Sequence, residues 1–169
     1  MNNYNQFEMI IQYDIIKRID FLDSHRRTFG KLLKEQGKVE GDFSKKADRC
    51  KLIGIASVND KPVAIGAIKP KTKSDFDSIK ADLASLSDDF EWELGYIFTQ
   101  KEHLGNGIAS NMVKLLIKEF GKGNLMASTE ISANPAMVKI LERNGFRHYG
   151  KPWKSTIHDN YLGLFLKFE

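Results

Sequence analysis

The sequence has only one cysteine, Cys50, among its 169 residues, and this scarcity excludes an internal disulfide framework. A lone thiol is typical of proteins that stay in a reducing compartment. Long apolar runs are also missing, because stretches such as residues 115–117 fall far short of the roughly 18 residues that a transmembrane helix needs. The first six residues are polar and uncharged, so they contain neither part of a secretory signal. We therefore expect a cytoplasmic protein with no membrane partner.

Charge of one sign is not in large excess either, because 26 Lys and Arg residues are set against 22 Asp and Glu residues, for a net charge of +4. The basic pairs stand on separate segments without the interleaved aromatic residues that are typical of nucleic-acid surfaces. We interpret them as solvated helix faces and expect no nucleic-acid partner, although the small positive excess favours an anionic small molecule. The histidines have no metal-ligand spacing with one another or with Cys50, so we expect no metal site.

The composition, 41% hydrophobic and 28% charged, is that of an ordinary soluble globular protein. A chain of this length fits one domain, so we predict a single domain over residues 1–169. Apolar residues recur at helical spacing in some segments and form β-branched runs in others. The predicted helices cover residues 14–22, 24–36, part of 75–86, 108–120 and 135–144. The predicted strands cover residues 7–13, 52–57, 63–68, 91–99, 125–131, 146–150 and 161–168.

The strand at residues 91–99 has the clearest alternation in the sequence. One side is predicted to hold its large apolar residues, and the other side to hold both glutamates. The first side consists of Trp92, Leu94, Tyr96 and Phe98. The second side consists of Glu91, Glu93, Gly95, Ile97 and Thr99. Because a helix separates this strand from the one at 125–131, we predict that the two strands pair in parallel through a right-handed crossover.

Two glycines, Gly105 and Gly107, lie where this strand leads into the helix that begins at residue 108. The first turn of a helix has unpaired amides and partial positive charge, and glycine lets a phosphate group approach them closely. A tight turn that needs glycine only for its backbone angles is the alternative interpretation. The segment lacks the Gly-Lys-Ser/Thr ending of a P-loop and the third glycine of a dinucleotide fingerprint, so a different phosphate cradle is needed.

A family resemblance accounts for this cradle. Residues 104–109, Leu-Gly-Asn-Gly-Ile-Ala, resemble the Arg/Gln-x-x-Gly-x-Gly/Ala signature of the GNAT superfamily of acyl-CoA N-acyltransferases. Residues 134–146 resemble the second hallmark of that superfamily, a helix that begins with Asn and ends in Gly-Phe. The strand sequence Glu-Leu-Gly-Tyr at 93–96 is similar to the pattern of the ribosomal-protein acetyltransferase branch. The resemblance covers residues 52–150, and the preceding residues match only in the order of their elements.

The resemblance implies an α/β (α+β) fold with a mixed, mostly antiparallel central sheet, flanked by helices and splayed between the parallel strands at 91–99 and 125–131. It also implies acetyl-CoA as the cosubstrate, with its pyrophosphate on the amides of one loop and its pantetheine arm along one strand edge. The residues implied for the pyrophosphate are Leu104, Gly105, Asn106, Gly107, Ile108 and Ala109. Those implied for the pantetheine arm are Ile97, Phe98, Thr99 and Asn134. Asn134, followed by Pro135, is also well suited to cap the second helix.

An amine acceptor must lose a proton before it attacks a thioester, because the pKa of an ammonium such as that of lysine is about 10.4. A carboxylate can take that proton as a general base. Glu93 is our first candidate for this role, and Glu91, predicted on the same side of the strand, is the second. The developing oxyanion needs a backbone amide, for which we predict Ile97 or a neighbour.

The sequence departs from the family pattern at two positions. Leu104 replaces the Arg or Gln that opens the first signature, so one side-chain contact to the pyrophosphate is missing. Leu141 stands where the family often has a general-acid tyrosine, and leucine cannot donate a proton. Tyr96, Tyr149 and Tyr161 are the phenols that could replace it, although each is also typical of a packed aromatic residue.

The resemblance implies an N-acetyltransferase that transfers an acetyl group from acetyl-CoA to a small-molecule or protein amine by direct attack in a ternary complex. Cys50 lies far from both motifs in sequence, so we expect no covalent enzyme intermediate. A non-catalytic acyl-CoA-binding sensor or interaction module is the alternative hypothesis, and Leu141 is the residue that favours it. Dimers are common in the superfamily, so the resemblance leaves a homodimer open.

Overall fold

The computed structural model describes residues 8–169, which form seven strands and four α-helices joined by loops and short 3-10 helices. The strands are β1 (Ile11–Lys17), β2 (Leu52–Val58), β3 (Lys61–Pro70), β4 (Trp92–Thr99), β5 (Leu125–Glu130), β6 (Arg147–Lys154) and β7 (Tyr161–Lys167). The α-helices are α1 (Asp23–Gln36), α2 (Phe43–Arg49), α3 (Ile108–Phe120) and α4 (Pro135–Arg143). In this part of the chain no helix is both long and apolar enough to cross a membrane.

The seven strands form one sheet in the order β1-β2-β3-β4-β5-β7-β6. All neighbouring pairs are antiparallel except β4 and β5, which are parallel. β4 and β5 are in register only at Trp92–Leu125 and Glu93–Met126. Beyond these two pairs the strands diverge toward their carboxyl ends. The predicted mixed, mostly antiparallel sheet with a splay between two parallel strands is therefore confirmed.

β1 corrects the prediction of a helix over residues 14–22. The strand continues through Ile15 and Ile16, and only the turn Arg18–Asp20 that follows is helical, with 3-10 geometry. Both isoleucines fit a strand because β-branched side chains pack well on a pleated sheet, and both pair with β2. The predicted strand at 7–13 therefore begins and ends too early, and its first residue lies outside the described residues.

The segment at 75–86 also differs from its prediction, because it contains no α-helix. Two 3-10 helices, Lys73–Phe76 and Ala84–Asp89, take its place. Phe76 is 1% exposed and packs in a cluster with Trp153 of β6 and residues of β5 and β7. This tertiary contact decides the local conformation where helix propensity alone does not. α1, α3, α4 and the β2–β3 hairpin, by contrast, confirm the predicted elements.

A β-bulge in β4 breaks the alternation that the sequence predicts. Along the pairing with β3, Gly95 and Phe98 face residues only two positions apart, so Tyr96 and Ile97 both oppose Gly66. Tyr96 has a φ of 56°, in the left-handed region that non-glycine residues rarely adopt. The apolar residues before the bulge pack under α3, whereas Tyr96 and Phe98 pack against α1. The predicted single apolar side is therefore wrong, and Ile97 faces α3.

A pair of glycines in the sheet makes room for α3. Gly54 on β2 and Gly66 on β3 are register partners, and a Cβ atom on either one would meet the side chain of Met112 in α3. Met112 is fully buried in the cluster between α3 and the sheet. The missing side chains thus let α3 lie close to the strands, which fixes its first turn beside the carboxyl end of β4.

We expect Gly54→Ala to lower the free energy of unfolding by about 1–3 kcal/mol, because the new methyl group overpacks against Met112. In a Met112→Ala background the same change should cost less than about 1 kcal/mol, since the space is then empty and alanine restricts the unfolded chain. Urea unfolding of the four proteins in this double-mutant cycle measures both costs. Equal costs in the two backgrounds would show that Met112 does not need the glycine.

Candidate active site

The divergence of β4 and β5 opens a cavity of about 380 Å³ at the centre of the sheet. Its wall is built from β4 and β5, the amino end of α4, the segment after α1 and the loop between β6 and β7. The polar residues on this wall are Gln36, Lys38, Lys69, Thr72, Glu93, Tyr96, Ser128, Thr129, Glu130, Asn134, Ser155 and His158. A cavity of this size with a few convergent polar groups is the usual form of a small-molecule site.

Glu93 lies on the wall of the cavity as a carboxylate held in place by β3 and the segment that follows it. The residue is 5% exposed, and one oxygen of its side chain, Oε2, accepts three hydrogen bonds. Lys69 Nζ donates to Oε2 at 2.8 Å, the Thr72 N–H at 2.7 Å and the Thr72 hydroxyl at 2.8 Å. The other oxygen, Oε1, accepts no hydrogen bond from residues 8–169. Glu93 therefore has one oxygen that fixes its orientation and one that is available to a ligand.

The second candidate base does not reach this cavity. Glu91 precedes β4, its side chain is exposed, and its backbone carbonyl accepts a hydrogen bond from the Lys71 N–H. It lies two positions before Glu93 in sequence, yet of the two only Glu93 belongs to the cavity wall. The alternation of the strand predicts the same side for both carboxylates, whereas in the structure only that of Glu93 lines the cavity.

Tyr96 is the one of the three candidate tyrosines that lines the cavity. The Lys69 ammonium lies 5.3 Å from the centre of its ring. Burial raises the pKa of Tyr96 to about 12, and the negative charge of Glu93 adds to the rise, so the phenol stays protonated at neutral pH. Tyr149 instead packs edge-on against Phe168, and Tyr161 is exposed at the start of β7. Tyr96 is consequently the phenol with access to the cavity.

Asp75 lies beside this cluster as a second buried carboxyl group. Its side chain accepts a hydrogen bond from Lys80 Nζ at 3.1 Å and interacts with the Ser128 hydroxyl. Burial raises the pKa of Asp75, and the nearby negative charge of Glu93 raises it further. Removing water from around a carboxylate disfavours its charged form, so this group holds its proton to higher pH than an exposed aspartate does.

The opposite wall of the cavity carries Glu130, which sequence analysis missed. This buried carboxylate at the end of β5 accepts a hydrogen bond from Lys38 at 3.1 Å and lies 3.0 Å from Nε2 of His158. It thereby connects the segment after α1 with the loop between β6 and β7. Its position at the carboxyl end of a strand that pairs in parallel with the Glu93 strand is the signal that could have identified it.

The loop before α3 has the geometry of an open cradle for an anion. Gly105 and Gly107 have φ values of 79° and 73°, and a Cβ atom on either would meet nothing within 4 Å. Within residues 8–169, the amides of 105–109 have no hydrogen-bond acceptor, whereas the Leu104 amide donates to the Lys101 carbonyl at 3.3 Å. The Asn106 side chain closes the loop through the His103 carbonyl at 3.1 Å. The open amides are therefore those of 105–109, and the Leu104 amide is engaged within the loop.

Of the residues predicted along the pantetheine arm, Ile97 and Asn134 line the cavity, and Phe98 and Thr99 continue β4 toward the cradle. The Ile97 carbonyl accepts a hydrogen bond from Gln36 Nε2 at 3.0 Å, and Phe98 packs on the α1 side of the sheet. The Thr99 hydroxyl is buried and has no hydrogen-bond partner in the part of the chain that the structure describes. This hydroxyl is enclosed by the surrounding residues, and Thr99 is not among the described residues that line the cavity.

Asn134 caps α4 and also lines the cavity. Its Oδ1 accepts a hydrogen bond from the Met137 N–H at 3.2 Å, which caps α4, and Pro135 occupies the first helical position. Asn134 also lines the cavity, where its Nδ2 makes no hydrogen bond to residues 8–169. Leu141 lines the same cavity and is 1% exposed, so the family's usual tyrosine position supplies only an apolar surface here.

The family model described as the Acetyltransferase (GNAT) family matches residues 16–146. The chain belongs to the GNAT acetyltransferase family. The match includes the cradle, both sides of the splayed sheet and most of the cavity wall. No curated protein sequence matches the chain at a significant level.

Solved structures of GNAT proteins share this fold at low sequence identity. NAA60 from Arabidopsis thaliana in complex with acetyl-CoA superposes with a TM-score of 0.67 at 12% identity, over 95% of this chain and 100% of that chain. A chain of the NatC complex bound to Gag peptide and CoA has a TM-score of 0.67 at 14% identity, over 95% and 99%. The ribosomal-protein-S18-alanine N-acetyltransferase from Escherichia coli has a TM-score of 0.63 at 13% identity, over 93% and 94%.

The raised pKa of Asp75 predicts a pH-dependent difference in stability between the wild type and Asp75→Asn. The native state keeps the Asp75 proton at pH values at which the unfolded chain, with a carboxyl pKa of about 3.9, has released it. The corresponding stabilisation is fully present below the unfolded pKa and is lost as the pH rises through the folded pKa. Urea unfolding at several pH values should therefore show the wild type losing stability relative to Asp75→Asn as the pH rises.

A Glu93→Gln background provides the control, because the charge of Glu93 is the second cause of the shift. Without that charge, the loss of relative stability should occur at lower pH. A wild type that gains stability relative to Asp75→Asn with rising pH would contradict the raised pKa.

Proposed function

We propose that this protein is an acetyl-CoA-dependent N-acetyltransferase in which an amine acceptor attacks the acetyl group directly in a ternary complex. The observation that carries the proposal is the free oxygen of Glu93, which lies on the wall of the cavity between the splayed strands. Membership of the GNAT acetyltransferase family supports acyl transfer in general. The acceptor class and the roles of individual residues are our inference from the geometry.

The residues present fit acetyl-CoA. The open amides of 105–109 suit a pyrophosphate, because unpaired N–H groups and the positive end of the α3 dipole both favour an anion. The Asn134 Nδ2, which makes no hydrogen bond to residues 8–169, suits an amide group of a pantetheine arm, together with the backbone of Ile97, Phe98 and Thr99. Ile108 and Ala109 begin the helix that directs these amides outward. Acetyl-CoA supplies an acetyl thioester, which is an activated acyl donor.

Glu93 is suited to remove the proton from the acceptor ammonium. Lys69 and Thr72 fix its Oε2, so Oε1 remains as the atom that can accept the proton directly or through one water molecule. The Ile97 N–H, in the bulge of β4, is our candidate to donate a hydrogen bond to the acetyl oxygen, on which negative charge develops when the amine attacks. Tyr96 is the candidate proton donor to the CoA thiolate that leaves when the amine takes the acetyl group, because its phenol stays protonated and lines the cavity.

Cys50 is unsuited to a covalent intermediate. Its side chain is fully buried, and burial raises the pKa of the thiol to about 12. Because the thiolate is the nucleophilic form, a thiol with this pKa is inert at neutral pH. This supports direct transfer to the amine.

We expect Glu93→Gln to lower kcat by about 100-fold or more, because glutamine keeps the shape of the side chain but cannot accept a proton. Release of free thiol from acetyl-CoA in the presence of a panel of primary amines measures the rate. Glu91→Gln removes a neighbouring exposed carboxylate and should leave the rate unchanged. A wild type that binds CoA but releases no thiol with any amine would favour the alternative, a non-catalytic acyl-CoA sensor.

The cradle is tested by a matched pair of glycines. Gly107 and Gly37 have nearly identical left-handed backbones, with φ of 73° and 72° and ψ of 11° for both. Alanine at either position should cost about 1 kcal/mol of stability, because an L-residue is disfavoured there. Only Gly107→Ala places a methyl group over the cradle, so it should weaken CoA binding by about tenfold or more, whereas Gly37→Ala should not. Calorimetric titration with CoA measures the affinity of both variants. Equal affinities of Gly107→Ala and Gly37→Ala for CoA would mean that the loop is only a turn.

A further inference from the structure

A second cavity, of about 280 Å³, lies on the α1–α2 side of the sheet and is unusually rich in positive charge. Lys46 and Arg49 approach it from the last turn of α2, and Lys69 and Lys71 from the carboxyl end of β3. We refer to the space lined by these four side chains as the basic pocket. Among residues 8–169, no acidic side chain lines it.

The cations of the basic pocket lack carboxylate partners within the described part of the chain, apart from Lys69. Lys69 pairs with Glu93, whereas the Lys71 ammonium donates only to the Ser87 carbonyl. Lys46 and Arg49 form no ion pair with any residue in 8–169. Like charges that converge on one cavity repel one another, so a bound anion would stabilise this arrangement.

Lys45, the sequence neighbour of Lys46, has the environment of an ordinary surface lysine. Its side chain is 82% exposed, lies 3.8 Å from Asp42 and does not line the pocket. Arg18, in turn, holds the end of α2 by donating to the backbone carbonyls of Arg49 and Cys50 at 2.7 and 2.8 Å. The backbone that carries Arg49 is thereby fixed at the pocket, while Lys45 provides a matched control nearby.

The basic pocket adjoins the proposed acceptor site. It shares Lys69, Thr72 and Tyr96 with the cavity that contains Glu93, and Lys69 Nζ is 2.8 Å from Glu93 Oε2. Its β3 residues, Lys69 and Pro70, pair with Glu93 and Trp92 at the start of β4, whereas the pyrophosphate cradle follows Thr99 at the other end. Glu93 and Thr99 are six positions apart, which in an extended strand is roughly 20 Å. A ligand in the basic pocket therefore lies beside the acceptor amine.

We propose that the basic pocket is an anion site and that the acceptor is a small molecule with a carboxylate or phosphate group near its amine. The anion binds Lys46, Arg49 and Lys71 while the amine reaches Oε1 of Glu93. This inference rests on the proposed N-acetyltransferase function. A polyamine, which carries only positive charge, is the acceptor that such a pocket repels.

The test compares acceptors that differ only in the anionic group. An α-amino acid is paired with its amide, and glucosamine 6-phosphate is paired with glucosamine, with thiol release from acetyl-CoA as the readout. We expect kcat/KM to favour the anionic member of at least one pair by about tenfold or more, mainly through KM. The pair with the larger ratio identifies the anion as a carboxylate or a phosphate. Equal or reversed ratios in both pairs would overturn the proposal.

Substitutions locate the effect. Lys46→Met and Arg49→Met should each lower the ratio of anionic to neutral acceptor by about fivefold or more, whereas Lys45→Met removes the same charge outside the pocket and should preserve the ratio. Because Lys45 and Arg49 are exposed and Lys46 is half-buried, all three variants are expected to fold, which circular dichroism checks. If Lys45→Met lowers the ratio as much as Lys46→Met and Arg49→Met do, the effect comes from net charge, and the proposal that the basic pocket binds the anion is overturned.

A separate binding measurement distinguishes failure of this inference from failure of the proposed function. If no amine releases thiol, the enzymatic proposal fails, and the pocket is tested by titrating the protein with inorganic phosphate and with acetate under NMR observation. Binding that is lost in Arg49→Met and kept in Lys45→Met supports the anion site. Absence of binding by both ions overturns it.

Discussion

Two register pairs, Trp92–Leu125 and Glu93–Met126, are the whole of the strand pairing between β4 and β5, and the rest of the site depends on this short parallel contact. After these pairs the facing edges of β4 and β5 lack strand partners. Unpaired backbone groups are costly unless water or a ligand hydrogen-bonds to them, so the splayed edges favour the binding of a ligand that can form such bonds. α3 packs on one face of the sheet beside this opening, because the glycine pair under Met112 lets the helix lie close to β2 and β3.

The bulge in β4 places different chemistry on the two faces of one strand. Ile97 remains on the α3 side, while Tyr96 turns to the side of α1, where Lys69 lies over its ring. Lys69 then serves two environments, since it balances the charge of Glu93 in one cavity and contributes positive charge to the other. The two cavities thus adjoin along Lys69, Thr72 and Tyr96, and only the larger one contains carboxylates among the described residues.

Much of the fold follows from local sequence patterns, because amphipathic helices and the crossover between two strands are encoded at short range. The glycines before α3 likewise predict an exposed loop. The errors arise where distant contacts decide. Ile15 and Ile16 satisfy both helical and extended patterns, and pairing with β2 selects the strand. The bulge lies opposite Gly66 of another strand, and Lys69 meets Glu93 because the two residues are cross-strand partners. Spacing within a short stretch of sequence does not reveal either contact.

Cys50 shows how the packing of one residue affects the way the protein can be handled. Its sulfur is enclosed between α2 and the sheet and donates to the Lys46 carbonyl at 3.4 Å. Since chromogenic disulfide reagents react with accessible thiolates, they should not detect this residue while the chain is folded. Colour that develops during turnover then reports only the released coenzyme, and a signal from the protein itself reports unfolding.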